Sequence, residues 1–115
     1  MSVNADGLRL SDMLDRAERL LKYRESRTES DLVSDIQFQD AVLHCFLILG
    51  EAASQVSQVT RERLPAVPWR EIVGIRNHIV HGYTRIDLHV IWETLQNDVE
   101  PLVEAILQFL PPEQT

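Results

Sequence analysis

Residues 35–60, DIQFQDAVLHCFLILGEAASQVSQVT, form the longest stretch of the chain with a helical pattern. Apolar side chains recur there every three or four residues, which is the spacing of one face of an α-helix. That face carries Phe38, Val42, Cys45, Leu49, Ala52 and Val56, with Phe46 and Ala53 beside it. A second stripe mixes polar and apolar side chains: Asp40, His44, Leu47, Glu51, Gln55 and Gln58. We therefore predict one long helix over residues 35–60, whose mixed stripe is available to another subunit or a cleft.

The segment before the long helix carries a second helical pattern. Apolar residues keep one side over residues 11–23, which predicts a helix there. The polar stretch over residues 24–34 interrupts the pattern, and we expect it to be a loop with a partial turn.

Two more helices are predicted after the long one. The first runs from Pro68 to about His81, because proline suits the first turn of a helix and Gly82 can take the left-handed conformation that ends one. The second begins near Asp87 and carries apolar residues as far as residue 110. It should kink or break near residues 97–100, because Pro101 has no backbone donor.

Helical periods without strand alternation or internal repeats predict an all-α fold, an up-and-down bundle of four or five helices. A chain of 115 residues is most simply one domain, residues 1–115, and we expect residues 1–7 and 111–115 to be frayed. The mixed stripe of the long helix favours self-association, and two-fold dimers are the commonest solution. We expect a homodimer formed through the helix that begins at Pro68.

The composition, with 44% hydrophobic and 25% charged residues, is typical of a folded soluble domain. No run approaches the roughly 20 apolar residues that span a bilayer, and the first residues do not resemble a signal peptide. We therefore expect a cytoplasmic protein without membrane contact. Cys45 is the only cysteine, so it forms no internal disulfide, and no spacing of cysteines and histidines suggests zinc.

The net charge of −7 argues against a protein that coats nucleic acid nonspecifically, because such binding relies on Lys and Arg. An RNA-binding role would need a local positive site. The middle third of the chain is rich in arginine: Arg61, Arg63, Arg70, Arg76 and Arg85.

The stretch Arg76-Asn77-His78-Ile79-Val80-His81-Gly82-Tyr83 combines a cation, two imidazoles and a phenol. Arg76 interrupts an apolar stripe formed by Trp69, Ile72, Ile79 and Tyr83. A guanidinium in that position is unfavourable unless it is paired or faces a cleft. Arg76 is therefore either half of a structural ion pair, for instance with Glu51, or a phosphate-binding group.

Asn77 and His81 lie four residues apart and so share a face of this helix, together with Arg70 and Gly74. Glycine destabilises a helix by ~1 kcal/mol relative to alanine, which suggests that something approaches closely at Gly74. His81 is either a histidine that interacts with the end of the helix dipole or an acid–base group. We interpret His78 as a solvated or supporting residue.

These groups fit RNA cleavage without a metal. In that reaction the ribose 2′-hydroxyl attacks the adjacent phosphorus, which requires a base, a proton for the leaving oxygen and a cation near the phosphorane. His81 can act as base or acid, and Arg76 can hold two phosphate oxygens in its fork. Asn77 can orient either His81 or the phosphate. No carboxylate cluster near the motif suggests a two-metal nuclease.

The pattern Arg-x4-His-x-Tyr at Arg76, His81 and Tyr83 resembles the signature of the HEPN ribonuclease superfamily, and more narrowly the HepT toxins. Gly50-Glu51-Ala52, Leu64-Pro65-Ala66-Val67-Pro68-Trp69 and Ile91-Trp92 occur in the order and approximate spacing of that family. The resemblance implies the toxin of a type II-like toxin–antitoxin system, an endoribonuclease that needs no cofactor and pairs its motif helices in a dimer. It also implies an MntA-like nucleotidyltransferase antitoxin that adds AMP to Tyr83. In the catalytic site of Arg76 and His81, we assign Glu51 and Asn77 as supporting residues.

Two other functions remain open on the sequence. The chain could be a catalytically silent helical partner of a nucleotidyltransferase, or a small structural bundle. The complete set of Arg76, Asn77, His81 and Tyr83 favours the nuclease, because an adaptor needs no such set. The net negative charge of the chain slightly favours the silent partner.

Overall fold

Seven helices account for most of residues 3–82 and 85–111, the part of the protein that the computed structural model describes. In chain order they are α1 (Val3–Tyr23), α2 (Glu29–Ser34), α3 (Ile36–Ser54), α4 (Gln58–Arg63), α5 (Trp69–His81), α6 (Leu88–Asn97) and α7 (Val99–Phe109). This part of the chain contains no β-strand. The predicted all-α helical bundle is confirmed, whereas dimerisation through α5 stays a prediction.

Helix α3 lies at the centre of the bundle and packs against both α1 and α5, while α7 packs against α1. All eight side chains predicted for the apolar face of the long helix are buried. Burial raises the pKa of the Cys45 thiol, which is the behaviour of a structural cysteine. The mixed stripe stays at the surface, where Leu47 and Glu51 are half-buried. A bilayer-spanning helix is absent from the described residues.

The prediction of one long helix over residues 35–60 is wrong in one respect, because the segment is divided into α3 and α4. Ser57 caps α4 by accepting the N–H of Thr60 at 3.3 Å. The carboxylate of Asp6, which is on α1, accepts the backbone N–H of Ser57 at 3.1 Å and the hydroxyls of Ser57 and Thr60 at 2.5 Å each. A group distant in sequence therefore holds the chain in a turn between the two helices.

The first helix begins at Val3 rather than near residue 11, so its predicted start is also wrong. Asp6, within the added turns, is buried. Burial acts to raise the pKa of Asp6, but the hydrogen bonds from Ser57 and Thr60 outweigh it and the pKa is lowered. Its bonds to α4 explain why the helix extends this far.

The stretch predicted as a loop with a partial turn contains the short helix α2. Its start is a capping box: Thr28 accepts the N–H of Asp31 at 3.2 Å, and the Asp31 carboxylate accepts the N–H of Thr28 at 2.8 Å. The two reciprocal bonds satisfy backbone donors that would otherwise lack partners.

The predicted break near residues 97–100 is confirmed, since α6 ends at Asn97 and α7 begins at Val99. Pro101 falls in the first turn of α7, where the missing N–H is not needed. Arg24 Nη1 donates to the carbonyl of Leu95 at 2.9 Å, so a group from the end of α1 satisfies one carbonyl of the last turn of α6.

Candidate active site

Helix α5 carries the motif and crosses α3 at Gly50. Gly50 is buried, and a Cβ atom there would overlap the Cβ of Arg76 and lie 3.0 Å from its Cγ and 3.1 Å from the carbonyl oxygen of Ile72. Only glycine allows the two helices to approach this closely. This role of Gly50 was not predicted from the sequence, although a glycine inside a long helical pattern was the available signal.

The crossing at Gly50 places Arg76 against Glu51. Arg76 Nε donates to Glu51 Oε1 at 2.7 Å, and Nη2 donates to the same oxygen. Arg76 Nη1 donates to Asn77 Oδ1 at 2.9 Å. The structure therefore shows the ion pair that was one of the two interpretations of Arg76.

The ion pair does not exhaust the donors of Arg76. A guanidinium has five N–H groups, and within the described residues Glu51 and Asn77 accept three of them, which leaves two without a partner in that part of the chain. The side chain of Arg76 is 28% exposed, and that of Glu51 is 40% exposed. Arg76 is therefore oriented by its partners and still accessible to an anion from solvent.

Asn77 connects Arg76 to the face of α5 that carries His81. Residues five apart on a helix, such as Arg76 and His81, point in clearly different directions, whereas Asn77 and His81 are neighbours at a spacing of four. Asn77 and His81 are both exposed. The bond from Arg76 to Asn77 therefore links the guanidinium to a residue that shares a helix face with His81.

His78 supports the loop that follows α5. Its Nε2 accepts the backbone N–H of Asp87, the residue that caps α6, at 3.0 Å. The N–H of Gly82 donates to the carbonyl of His78 at 2.8 Å and ends α5. Gly82 has φ −115°, so the predicted left-handed conformation is wrong, because this hydrogen bond closes the helix without it. Tyr83, the predicted AMP acceptor, lies outside the described residues.

Gly74 does not have the close contact expected within the chain. It is exposed, and a Cβ atom there would meet no atom of the described residues within 4 Å. The described part of the chain also contains no group of three or more His, Cys, Asp or Glu side chains that could hold a metal ion.

Comparisons with known proteins agree on one family. The family described as ribonuclease HepT-like matches residues 13–109. A candidate RNase of Methanocaldococcus jannaschii is 29% identical over 84% of this chain and 89% of its own length. A candidate RNase of Caldanaerobacter subterraneus is 29% identical over 91% of this chain and 94% of its own. A probable ribonuclease HepT of Thermococcus cleftensis is 28% identical over 81% and 84%. No solved structure matches the chain significantly.

Proposed function

The chain belongs to the HepT-like ribonuclease family, and on this premise we propose that it is an endoribonuclease toxin that cleaves RNA without a metal. The observation that carries the proposal is the arrangement of Arg76. Glu51 and Asn77 hold its guanidinium, two of its N–H groups have no partner among the described residues, and Asn77 shares a face with His81. A purely structural ion pair would not require this exposed polar face beside it.

In the proposed reaction, Arg76 binds two non-bridging oxygens of the scissile phosphate. His81 removes the proton from the ribose 2′-hydroxyl, whose oxygen forms a bond to phosphorus. The bond from phosphorus to the 5′-oxygen breaks, and that oxygen receives a proton, which leaves a cyclic phosphate and a 5′-hydroxyl. Arg76 acts most strongly on the phosphorane, where negative charge is greatest. Glu51 and Asn77 act through Arg76 as positioning residues.

One copy of the site provides His81 for two proton transfers. We propose a homodimer in which the α5 helices meet around residues 74–81, so that two copies of His81 divide the roles of acid and base. The open space at Gly74 and the exposure of Asn77 and His81 support this arrangement, because a second α5 could approach there without obstruction.

We further propose that an MntA-like nucleotidyltransferase antitoxin inactivates the enzyme by adding AMP to Tyr83. Tyr83 follows His81 by two residues. AMP on its hydroxyl would add a bulky anion close to Arg76 in sequence, where it could compete with RNA for the free N–H groups.

The cleavage proposal is tested with Arg76→Ala and His81→Ala. Loss of a phosphate-binding group or a general base typically lowers the rate by ~100-fold or more. Both variants should therefore lose toxicity in growth assays and RNase activity on purified RNA, while circular dichroism stays that of the wild type. Activity should survive EDTA.

Arg19→Ala and His44→Ala are matched controls, because both side chains are exposed and lie on α1 and α3. Equal activity of all four variants would contradict the catalytic assignment. A wild-type chain that binds a nucleotidyltransferase but leaves RNA intact would support the silent partner instead.

The regulatory proposal is tested with Tyr83→Phe. This variant should keep much of its activity, because a phenol with a pKa of about 10 is a poor proton carrier near neutral pH. After incubation with the antitoxin, ATP and magnesium, intact-mass measurement should show AMP on the wild type and none on the variant. AMP persisting on Tyr83→Phe would place the acceptor elsewhere; Tyr23, the other tyrosine, is 37% exposed.

A further inference from the structure

We propose that the groove between α4 and α5 binds a second phosphate of the RNA strand, next to the one that is cleaved, and that Arg70 is its main cation. We call this the α4–α5 groove; its walls include Arg61, Glu62, Trp69, Arg70, Gly74 and Asn77. The inference rests on the proposed ribonuclease function. It assigns a substrate-binding role to side chains outside the motif.

The α4–α5 groove leads directly to the catalytic face. Arg70, Gly74, Asn77 and His81 follow one another on α5 in steps of four, three and four, so they lie along one side of the helix. Arg70 and Asn77 are about 10 Å apart along the helix axis. Arg70 therefore lies too far along the helix to share the phosphate held at Arg76 and Asn77, and is placed to hold a neighbouring one.

Arg70 is a cation without a partner among the described residues. It is exposed, and no hydrogen bond or ion pair involves its side chain within the described residues. Of the nine other arginines, five have a carboxylate partner within the described residues: Arg16, Arg19, Arg24, Arg27 and Arg76. Arg70 also lies in the first turn of α5, where the helix dipole disfavours a positive charge. A bound phosphate would give Arg70 the partner that it lacks among the described residues.

Arg61 gives the groove a second and fixed positive charge. Its Nε donates to the carbonyl of Val56 at 3.2 Å, its Nη2 donates to that of Ala53 at 2.9 Å, and its guanidinium lies 5.3 Å from the centre of the Trp69 ring. Trp69 is itself held, because its Nε1 donates to the carbonyl of Leu64 at 3.0 Å. With Arg61 over its ring, Trp69 is not an open platform for a base. The groove is thus suited to the sugar–phosphate backbone and should tolerate many sequences.

Gly74 has no side chain to separate Arg70 from Asn77, and Arg70 lies outside residues 74–81, the part of α5 proposed to meet the second copy. Glu62 is the one acidic side chain of the groove and accepts a hydrogen bond from Gln58 Nε2 at 3.4 Å. Its charge repels a phosphate. Removal of that charge should therefore strengthen RNA binding, whereas removal of the Arg70 charge should weaken it. A second copy of the chain is a weaker candidate for this end of the groove, since a two-fold axis there would bring equal charges together.

The experiment measures binding of a mixed-sequence RNA strand that is fully 2′-O-methylated and so lacks the attacking hydroxyl. Dissociation constants are determined over a range of salt concentrations for wild type, Arg70→Gln, Glu62→Gln and the control Arg63→Gln. Arg63 is also on α4, but it packs over Phe109, with 5.4 Å to the ring centre, and lies outside the groove walls. Arg63→Gln removes one positive charge, as Arg70→Gln does, but leaves the groove walls unchanged.

Arg70→Gln should weaken binding and reduce the slope of log K against log salt by about 0.7, which corresponds to one phosphate contact with a single strand. Glu62→Gln should tighten binding, and Arg63→Gln should leave the slope unchanged. An unchanged slope in Arg70→Gln, with RNA still cleaved by the wild type, overturns this inference alone. A shift of Arg70→Gln to monomer would overturn it in favour of a contact between copies. If the wild type neither binds nor cleaves RNA, the proposed function fails as well.

Discussion

At the scale of single residues, the Arg76–Glu51 pair orients a charge more than it stabilises the fold. Both side chains are partly exposed, and exposed ion pairs typically contribute only ~0.2–1 kcal/mol. The two donors from Arg76 to one Glu51 oxygen nevertheless fix the plane of the guanidinium. A fixed plane matters for a group that must match two phosphate oxygens.

We predict that Glu51→Gln lowers kcat/KM for RNA by between about 10- and 100-fold, because a misplaced catalytic group has an effect of this size. The melting temperature should change little, since Glu51 is partly exposed. Glu104→Gln removes the same charge from an exposed position on α7 and should be silent. Glu51→Asp should recover part of the activity. Normal activity in Glu51→Gln would show that Arg76 is positioned without it.

The sequence was sufficient to identify Arg76 as anomalous but not to specify its contacts. A charge in an apolar stripe can be recognised from periodicity alone, and Glu51 was one candidate partner. The bonds to Glu51 depend on how far α3 lies from α5, which Gly50 sets and no local pattern encodes. Gly74 was assigned a close contact because a helix glycine suggests one, but the described chain has open space there.

At the scale of elements, Gly50 and Gly74 form a natural comparison, since both are helical glycines. We predict that Gly50→Ala destabilises the fold by about 1–3 kcal/mol, because the new methyl group would overlap Arg76 at the crossing of α3 and α5. Gly74→Ala should stabilise an isolated chain by up to ~1 kcal/mol, because alanine favours the helix and meets no neighbour. Urea unfolding measures both. If Gly74→Ala instead lowers the free energy of unfolding, and the decrease grows with protein concentration, a second copy of the chain contacts that position.

Helices α2 and α6 are joined by His89. Its Nδ1 lies 3.0 Å from a Glu29 oxygen and its Nε2 3.5 Å from a Glu93 oxygen. The hydrogen bond with Glu29, followed by the charges of Glu29, Glu93 and Asp87, raises the pKa of His89. A raised pKa in the folded state means that the stabilisation is complete below the unfolded-state pKa and is lost as pH rises through the folded-state value.

We therefore predict that the free energy of unfolding of His89→Gln falls below that of the wild type at about pH 5 and equals it at about pH 9. Urea unfolding at the two pH values provides the measurement. His44→Gln, an exposed histidine that has no ion pair within the described residues, is the control. A difference that is the same at both pH values would rule out the charged contact with Glu29.

Element types follow from local periodicity, whereas two of the boundaries depend on distant contacts. The apolar face of the long helix and the break before Pro101 were both predictable, because the first is a repeat and the second is a property of proline. The turn between α3 and α4 was not, since its stabilising group, Asp6, comes from the other end of the chain. The capping box of Thr28 and Asp31 was a local signal for α2, but the polar composition of residues 24–34 led to the prediction of a loop.

At the scale of the whole molecule, an acidic protein presents a small basic region. The net charge is −7, yet Arg61, Arg70 and Arg76 lie on or beside one side of α5. Such a protein should repel most nucleic acid and bind RNA only where the strand enters this region. On the proposed function, this distribution favours RNA binding at one region over general RNA binding.

The final prediction is that the chain is a dimer at micromolar concentration and that Gly74→Arg makes it monomeric. If two α5 helices meet around residues 74–81, an arginine at Gly74 adds bulk and places equal charges opposite each other across the two-fold axis. Within one chain the same change has room, because no described atom lies within 4 Å of the added Cβ, so the helix content should be preserved. Light scattering measures the mass of both proteins.

Leu107→Arg is the matched control for this prediction, because Leu107 is 41% exposed and lies on α7, away from the motif helix. It should remain dimeric. The monomeric Gly74→Arg should also lose RNase activity, because each copy would retain a single His81 for two proton transfers. A monomeric wild type that cleaves RNA would show that one copy contains every group the reaction needs, and a Gly74→Arg protein that stays dimeric would place the two-fold axis on another surface.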